Sequence, residues 1–207
     1  GKTEIYLHLI ETALEDGEKA SILLVPEISL TPQTVNRFIA RFGKEKVAVL
    51  HSKLSIGERY DQWHKIKEGK AKIIIGARSA IFAPVKDLGL VIIDEEHDSS
   101  YKTEMSPRYD AKEVARKICK IANVPLVLGS ATPDMETYFR AGNEEISLLE
   151  LSKRANEASL PDIEIIDLRE ELAKGNKSMI STKLYDEIDK NLQNKKQTIL
   201  YLNRRGF

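Results

Sequence analysis

The stretch LGLVIIDEEHDSS, Leu88–Ser100, decides the fold class. Four apolar residues, Leu90–Ile93, run without polar alternation into Asp94-Glu95-Glu96-His97. A short Val/Ile/Leu run of this kind reads as a strand covered on both faces, as in a parallel sheet between helices. Ligands of such sheets gather beyond the carboxyl ends of the strands. Two carboxylates placed there, desolvated on the strand side, need a compensating cation. In a nucleotide hydrolase the first, Asp94, holds Mg²⁺ and the second, Glu95, orients and polarises the attacking water. The competing reading is an acidic strand end that caps the next turn. Glu96 and His97 are less constrained, and His97 reads equally as a packing histidine or a coupling group.

Outward from this stretch, similar apolar runs alternate with amphipathic segments. Ser21–Val25, Val47–Leu50, Lys72–Ile75 and Leu126–Leu128 read as buried strands. Helices are expected over Thr3–Glu15, Thr31–Phe42, Ser55–Glu68 and Asp110–Ala122. Ser55 and Glu58 form a capping-box pattern, and Val114, Ile118 and Ile121 recur at helical spacing. This alternation predicts an α/β fold with a parallel, doubly wound sheet over residues 1–150. The polar stretch LSKRANEASLP ends in proline and reads as a linker, taken as residues 151–162. A new unit, residues 163–207, then starts with strand Ile163–Ile166, a polar segment through Ser178, helix Ser181–Gln193 and strand Thr198–Leu202. Only about 45 residues follow the linker, too few to complete another sheet domain.

Two further segments carry chemistry. Gly1-Lys2-Thr3 opens a helical pattern, as do the last three positions of a phosphate-binding loop, where Lys meets phosphates and the hydroxyl holds Mg²⁺. The tripeptide alone is weak, since it also suits a solvated loop. LGSATP, Leu128–Pro133, follows the next strand. Its small residues allow a close ligand approach, and Ser130 and Thr132 hydroxyls exchange partners cheaply. Thr132 before Pro133 could instead be an ordinary helix cap. Arg78, just past a strand end, suits a DNA or nucleotide phosphate, or else a nearby acid. Tyr101, Lys102, Arg108 and Tyr109 offer rings and cations of the kind that stack on unpaired bases, worth roughly 1–3 kcal/mol per base; the competing reading is a surface loop with one or two of its tyrosines on the core. Trp63 is expected in the core, and the Lys65, Lys67, Lys70 and Lys72 group is expected on a solvated face.

Composition narrows the class. Hydrophobic residues make up 42% and charged residues 31%, a globular balance. Thirty-two basic residues offset 32 acidic ones, which argues against a nonspecific polycation and leaves room for a local basic groove. The single cysteine, Cys119, excludes an internal disulfide framework or a Cys-cluster metal site, and is expected buried and inert. No apolar run approaches the roughly 20 residues of a membrane span, so no membrane partner is expected and the cytosol is the default compartment.

Taken in order, GKT, VPEISLTPQ (Val25–Gln33), LHSKLSIGERYDQW (Leu50–Trp63), IIIGARSAIFAP (Ile73–Pro84), IIDEEHDSSYK (Ile92–Lys102), LGSATP and LNRRGF (Leu202–Phe207) resemble the primosomal protein N′ family of replication-restart helicases, within superfamily 2. The resemblance spans nearly the whole chain. It implies a RecA-like P-loop helicase lobe followed by the start of a second RecA-like lobe. It implies an ATP-dependent 3′-to-5′ DNA helicase that restarts stalled replication forks and assembles the primosome. ATP and Mg²⁺ are the implied cofactors, with zinc held only downstream of this stretch. Forked and single-stranded DNA, primosome proteins and single-strand-binding proteins are the implied partners, in the bacterial cytoplasm near the nucleoid. On this resemblance Gly1, Lys2 and Thr3 match the nucleotide-binding motif. Asp94 and Glu95 match the catalytic pair, with Thr3 and Asp94 on Mg²⁺. His97, Ser130 and Thr132 match coupling positions. Arg78, Tyr101, Lys102, Arg108 and Tyr109 match DNA-side positions, and Arg204-Arg205 match a lobe-two motif. The stretch EMSPRY is poorer in rings than the corresponding family loop. The expectation is an internal piece of a larger helicase, itself inactive alone. Another superfamily 2 translocase of repair or restriction, or a noncatalytic primosome docking module, are the alternatives.

Overall fold

A computed structural model describes residues 1–151 and 161–202. Contacts divide the chain into two units, Gly1–Ala155 and Asn156–Phe207, each described by itself.

In the first unit the apolar runs form five strands: β1 (Ala20–Leu24), β2 (Val47–Leu50), β3 (Ile73–Gly76), β4 (Leu88–Asp94) and β5 (Leu126–Gly129). They pair in the order β2-β3-β1-β4-β5, and every pairing is parallel. Helices α1 (Lys2–Glu15), α2 (Pro32–Phe42), α3 (Ile56–Lys67), α4 (Ala111–Ala122) and α5 (Met135–Gly142) surround the sheet. Alternate residues of each strand feed two separate cores. Leu23, Ile73, Ile75, Leu90 and Ile92 pack with Tyr6, Leu7 and Ile10 of α1 and Phe38 of α2. Ile22, Leu24, Ile74, Val91 and Ile93 pack on the other face with Ile66, Ile81, Ala111, Ala115 and Cys119. Burying both faces is what removes polar alternation from these strands. The chain is thus an α/β fold with a parallel sheet between helical layers.

The parallel arrangement has a direct consequence for function. All five strands end at one edge, so the segments that follow them converge there. Leu24 lies beside Gly76 and Ile93, and Asp94 lies opposite Gly129. The two segments DEEH and SATP therefore leave adjacent strands at the same level.

Local signals held at most boundaries. Ser55 accepts from the Glu58 amide, and Glu58 accepts from Ser55, completing the capping box of α3. Asp110 caps α4, and Asn123 ends it in the left-handed region. Several details differ from expectation. Ile121 is 86% exposed, because α4 turns its small residues Ala111, Ala115 and Cys119 toward the sheet instead. Trp63 is not a core residue: its ring lies under Lys67 Nζ at 4.7 Å and edge-on to His64. Lys65 is not a free solvated charge, since it donates to the carbonyls of Lys44 (2.9 Å) and Val47 (2.7 Å). Burial holds its pKa below the ordinary lysine value.

The second unit departs further. Its helices are α6 (Leu168–Ala173) and α7 (Thr182–Gln193), the latter capped by Ser181. The polar segment was read without α6. The strands expected over Ile163–Ile166 and Thr198–Leu202 do not form: neither segment pairs with another strand among the described residues, and Ile163, Ile165 and Ile199 are exposed. An extended segment becomes a strand only when a neighbour takes its amides and carbonyls. Glu171 joins the two helices by accepting from the Thr182 amide and hydroxyl and from Asn176, which draws its pKa down to about 2. The expected linker lies mostly outside the described residues, as do Arg204 and Arg205.

Candidate active site

The site begins with the end of β4. Asp94 is its last residue, and Glu95 follows in the left-handed region with φ 46°. A non-glycine residue there is uncommon and marks a turn that surrounding contacts must hold. This turn sends Asp94 and Glu95 toward α1 and Glu96 toward α4 and α5.

On the α1 side, Lys2 and Tyr6 lie one turn apart on the same face of the helix, as residues spaced four apart must. Lys2 Nζ is 2.6 Å from Glu95 Oε1 and 3.7 Å from Asp94 Oδ1. Tyr6 donates its hydroxyl to Asp94 Oδ1 at 2.7 Å. Burial, then the neighbouring Asp94 carboxylate, pushes the Tyr6 phenol far above its ordinary pKa, so it stays a donor. Gly129 allows this approach: a Cβ there would sit 1.8 Å from the Tyr6 hydroxyl oxygen. The cation and the two carboxylates are each about a fifth to a third exposed, so solvent reaches the cluster. Gly1 caps α1 without a side chain, and its carbonyl accepts from the Glu4 amide. Thr3 and Asp94 each carry a hard oxygen of the kind Mg²⁺ takes; Thr3 lines a groove with Arg37 and Arg41, while Asp94 meets Lys2 and Tyr6.

The positions expected to couple lie beside this cluster. His97 Nδ1 is 2.7 Å from Ser130 Oγ and 3.7 Å from Glu95 Oε2. Ser130 Oγ also accepts from the Thr132 amide at 3.0 Å. His97 is therefore a partly exposed link between two strand ends and not a packing histidine. Thr132 does not cap α5; Asp134 does, accepting from the Glu136 amide.

The positions expected on DNA separate into two groups. Tyr101 does not belong with them. It is 1% exposed, inside the core, and donates to the Asp94 carbonyl at 2.6 Å, leaving no ring face for a base. Its role is to brace the strand end. Among the described residues Arg78 meets no acid; it donates to the carbonyls of Ser100 (3.1 Å) and Lys102 (2.5 Å) and lies over Tyr109 with 5.6 Å to the ring centroid. Tyr109 packs edge-on against Phe82. Lys102, 3.8 Å from Asp110, is mostly exposed, and Arg108 Nε donates to the Glu104 carbonyl. Arg78, Lys102, Arg108 and Tyr109 thus share one loop region next to the Asp94–Glu95 turn.

Sequence reasoning passed over Tyr6, Lys112, Asp134 and Thr137. Tyr6 could have been found: a tyrosine four residues beyond a phosphate-type lysine puts a donor on the lysine's face. Cys119 is buried as expected, and burial pushes its thiol up to about 11.

With this geometry in hand, the chain can be set against known proteins. Residues 1–140 match the DEAD/DEAH box helicase family model. The chain is 53% identical over 207 residues to the replication restart protein PriA of Bacillus subtilis, covering all of this chain and 26% of that protein. It is 47% identical over 211 residues to the protein of the same name from Synechocystis, covering 25% of it. The chain thus spans about a quarter of the length of these relatives. Among solved structures, the helicase domain of Hef from Pyrococcus furiosus superposes with a TM-score of 0.52 at 24% identity, over 72% of this chain and 32% of that one. That likeness concerns the fold alone: the sheet is a RecA-like helicase sheet. No helix among the described residues is long and apolar enough to cross a membrane.

Proposed function

The chain belongs to the DEAD/DEAH box helicase family, and from that premise we propose that it forms the ATP-hydrolysing part of a replication-restart DNA helicase. One observation carries the reading. Lys2, Tyr6, Asp94 and Glu95 converge at the end of β4, and the His97–Ser130 contact links that point to the adjacent strand end.

Each residue then has a task. Lys2 exchanges its carboxylate partners for the β- and γ-phosphates of ATP, with the first turn of α1 giving its free amides to the same anion. Thr3 and Asp94 would hold Mg²⁺, which when bound would supply neutralisation of charge on the transferring phosphate. Tyr6 fixes the orientation of Asp94. Glu95, released from Lys2, aligns a water and takes its proton. His97, Ser130 and Thr132 carry the state of the nucleotide to the neighbouring loop. Arg78, Lys102, Arg108 and Tyr109 meet single-stranded DNA, Tyr109 and the cations supplying stacking and phosphate contacts. Replication restart is supported by the identity to the PriA relatives across the whole chain; 3′-to-5′ movement, primosome partners and a cytoplasmic location belong to the same proposal. The units 1–150 and 163–207 act in this reading as one helicase lobe and the beginning of another.

The test is unwinding by the natural protein that carries this sequence, on duplexes with a single 3′ or 5′ tail. Unwinding that requires ATP and the 3′ tail is expected. Equal unwinding of both, or none with either, contradicts the proposal.

A further inference from the structure

Glu96 follows the proposed water-orienting Glu95 and faces the other way. Its side chain is 1% exposed and its bonds are full. Oε1 accepts from the Asp134 amide at 2.7 Å. Oε2 accepts from Lys112 Nζ and Thr137 Oγ1, each at 3.0 Å. Lys112 Nζ also donates to Asp134 Oδ2 at 3.0 Å. The Glu96 amide donates to the Gly129 carbonyl at 3.1 Å. One residue therefore grips α4, α5 and both ends of the Ser130–Pro133 loop.

Stability does not require this arrangement. A buried ion pair replaced by apolar residues of similar volume is often as stable or more so. What a saturated charged node supplies is a single allowed position for its partners. The loop between its two anchor points carries Ser130, which meets His97. Any displacement of Ser130–Pro133 must then pull on Glu96, and the Glu95–Glu96 peptide passes that pull to the strained Glu95. The Coulomb link to Lys112 on α4 gives the node a fixed fulcrum: burial opposes the lysine charge, but the bonds from Asp134 and Glu96 outweigh it and raise its pKa.

Resting on the function proposed above, we propose that Glu96 is a positioning residue. With Lys112 and Thr137 it locks the Ser130–Pro133 loop to the catalytic turn, so that loop movement on DNA reorients Glu95.

Two measurements read the two halves of this separately. Amide exchange on the 207-residue chain reads the lock. Glu96→Gln should speed exchange at the Asp134 amide by about tenfold or more while β1 and β3 stay protected. Thr137→Val, which keeps shape and removes one bond, should act in the same direction by about threefold, and serves if Glu96→Gln fails to fold. ATP turnover by the natural protein reads the coupling. Both variants should lower the DNA-stimulated kcat, Glu96→Gln by about tenfold, with KM for ATP within about twofold. Unchanged exchange in both variants overturns the lock. Faster exchange with unchanged turnover overturns the coupling and leaves a purely structural node. A wild-type protein without DNA-stimulated hydrolysis overturns the proposed function and the reorientation of Glu95 with it, a failure visible before any variant is made.

Discussion

The two sides of the β4 end use similar groups for opposite ends. On the α1 side, Lys2 meets Asp94 and Glu95 at the rim, where all three remain partly wet. On the α4 and α5 side, Lys112 meets Glu96 in the interior, where both oxygens of the carboxylate are bonded. Both are lysine–carboxylate pairs, and only solvent access and the number of other partners separate them. A wet pair can be exchanged for a ligand at little cost. A dry, saturated pair cannot be opened without leaving a bare charge. On the function proposed above, chemistry belongs on the first side, and positioning on the second.

Removing the lysine from each side tests this most severely. Lys112→Met should lower the unfolding free energy of the 207-residue chain by about 3–5 kcal/mol, because Glu96 is left charged and buried. Lys2→Met should lower it by less than about 1 kcal/mol, since its partners turn to water. Denaturant titration measures both, and equal losses would erase the distinction. Next comes Gly129→Ala, whose methyl meets the Tyr6 hydroxyl; a cost of about 1–3 kcal/mol is expected, with part of it recovered by combining it with Tyr6→Phe. Tyr6→Phe alone should leave the fold nearly intact and reduce ATP turnover by about tenfold, because Asp94 loses the donor that orients it. The smallest effect concerns Cys119, on the dry side. Its thiol, pushed to about 11, stays neutral at pH 8, so a thiol reagent should label the unfolded chain and spare the native one. The sign follows from linkage. A folded-state value above the unfolded one means the neutral thiol's contribution is complete below the ordinary thiol value, and is lost as pH rises from there toward 11.

The same contrast explains what could be read from the sequence. The run LVII followed by DEEH announced a buried strand with carboxylates at its end, since burial on both faces and charge at the tip each leave a local mark. The five strands of the first unit and the capping box of α3 were legible because they too are written in neighbouring residues. Partnership was not. Ile163–Ile166 has the composition of a strand, yet it is exposed and unpaired among the described residues. Lys112 and Glu96 stand 16 residues apart, and nothing local in either says that they meet. Tyr101 reads as a base-stacking residue because it shares a loop with Lys102, Arg108 and Tyr109, but its ring turns inward to the Asp94 carbonyl. Side-chain direction in an irregular loop is set by the core it abuts, which periodicity does not encode.

The central claim is that Glu95 acts on water while Lys2, Asp94 and Tyr6 hold the reacting end, under the influence of DNA. The most direct measurement is steady-state ATP hydrolysis by the natural protein that carries this sequence, with and without forked DNA, beside its Glu95→Gln variant. The account predicts that forked DNA raises hydrolysis in the wild type, and that Glu95→Gln lowers the stimulated rate by about 100-fold or more while ATP still binds. Hydrolysis indifferent to DNA, or retained in Glu95→Gln, would contradict it.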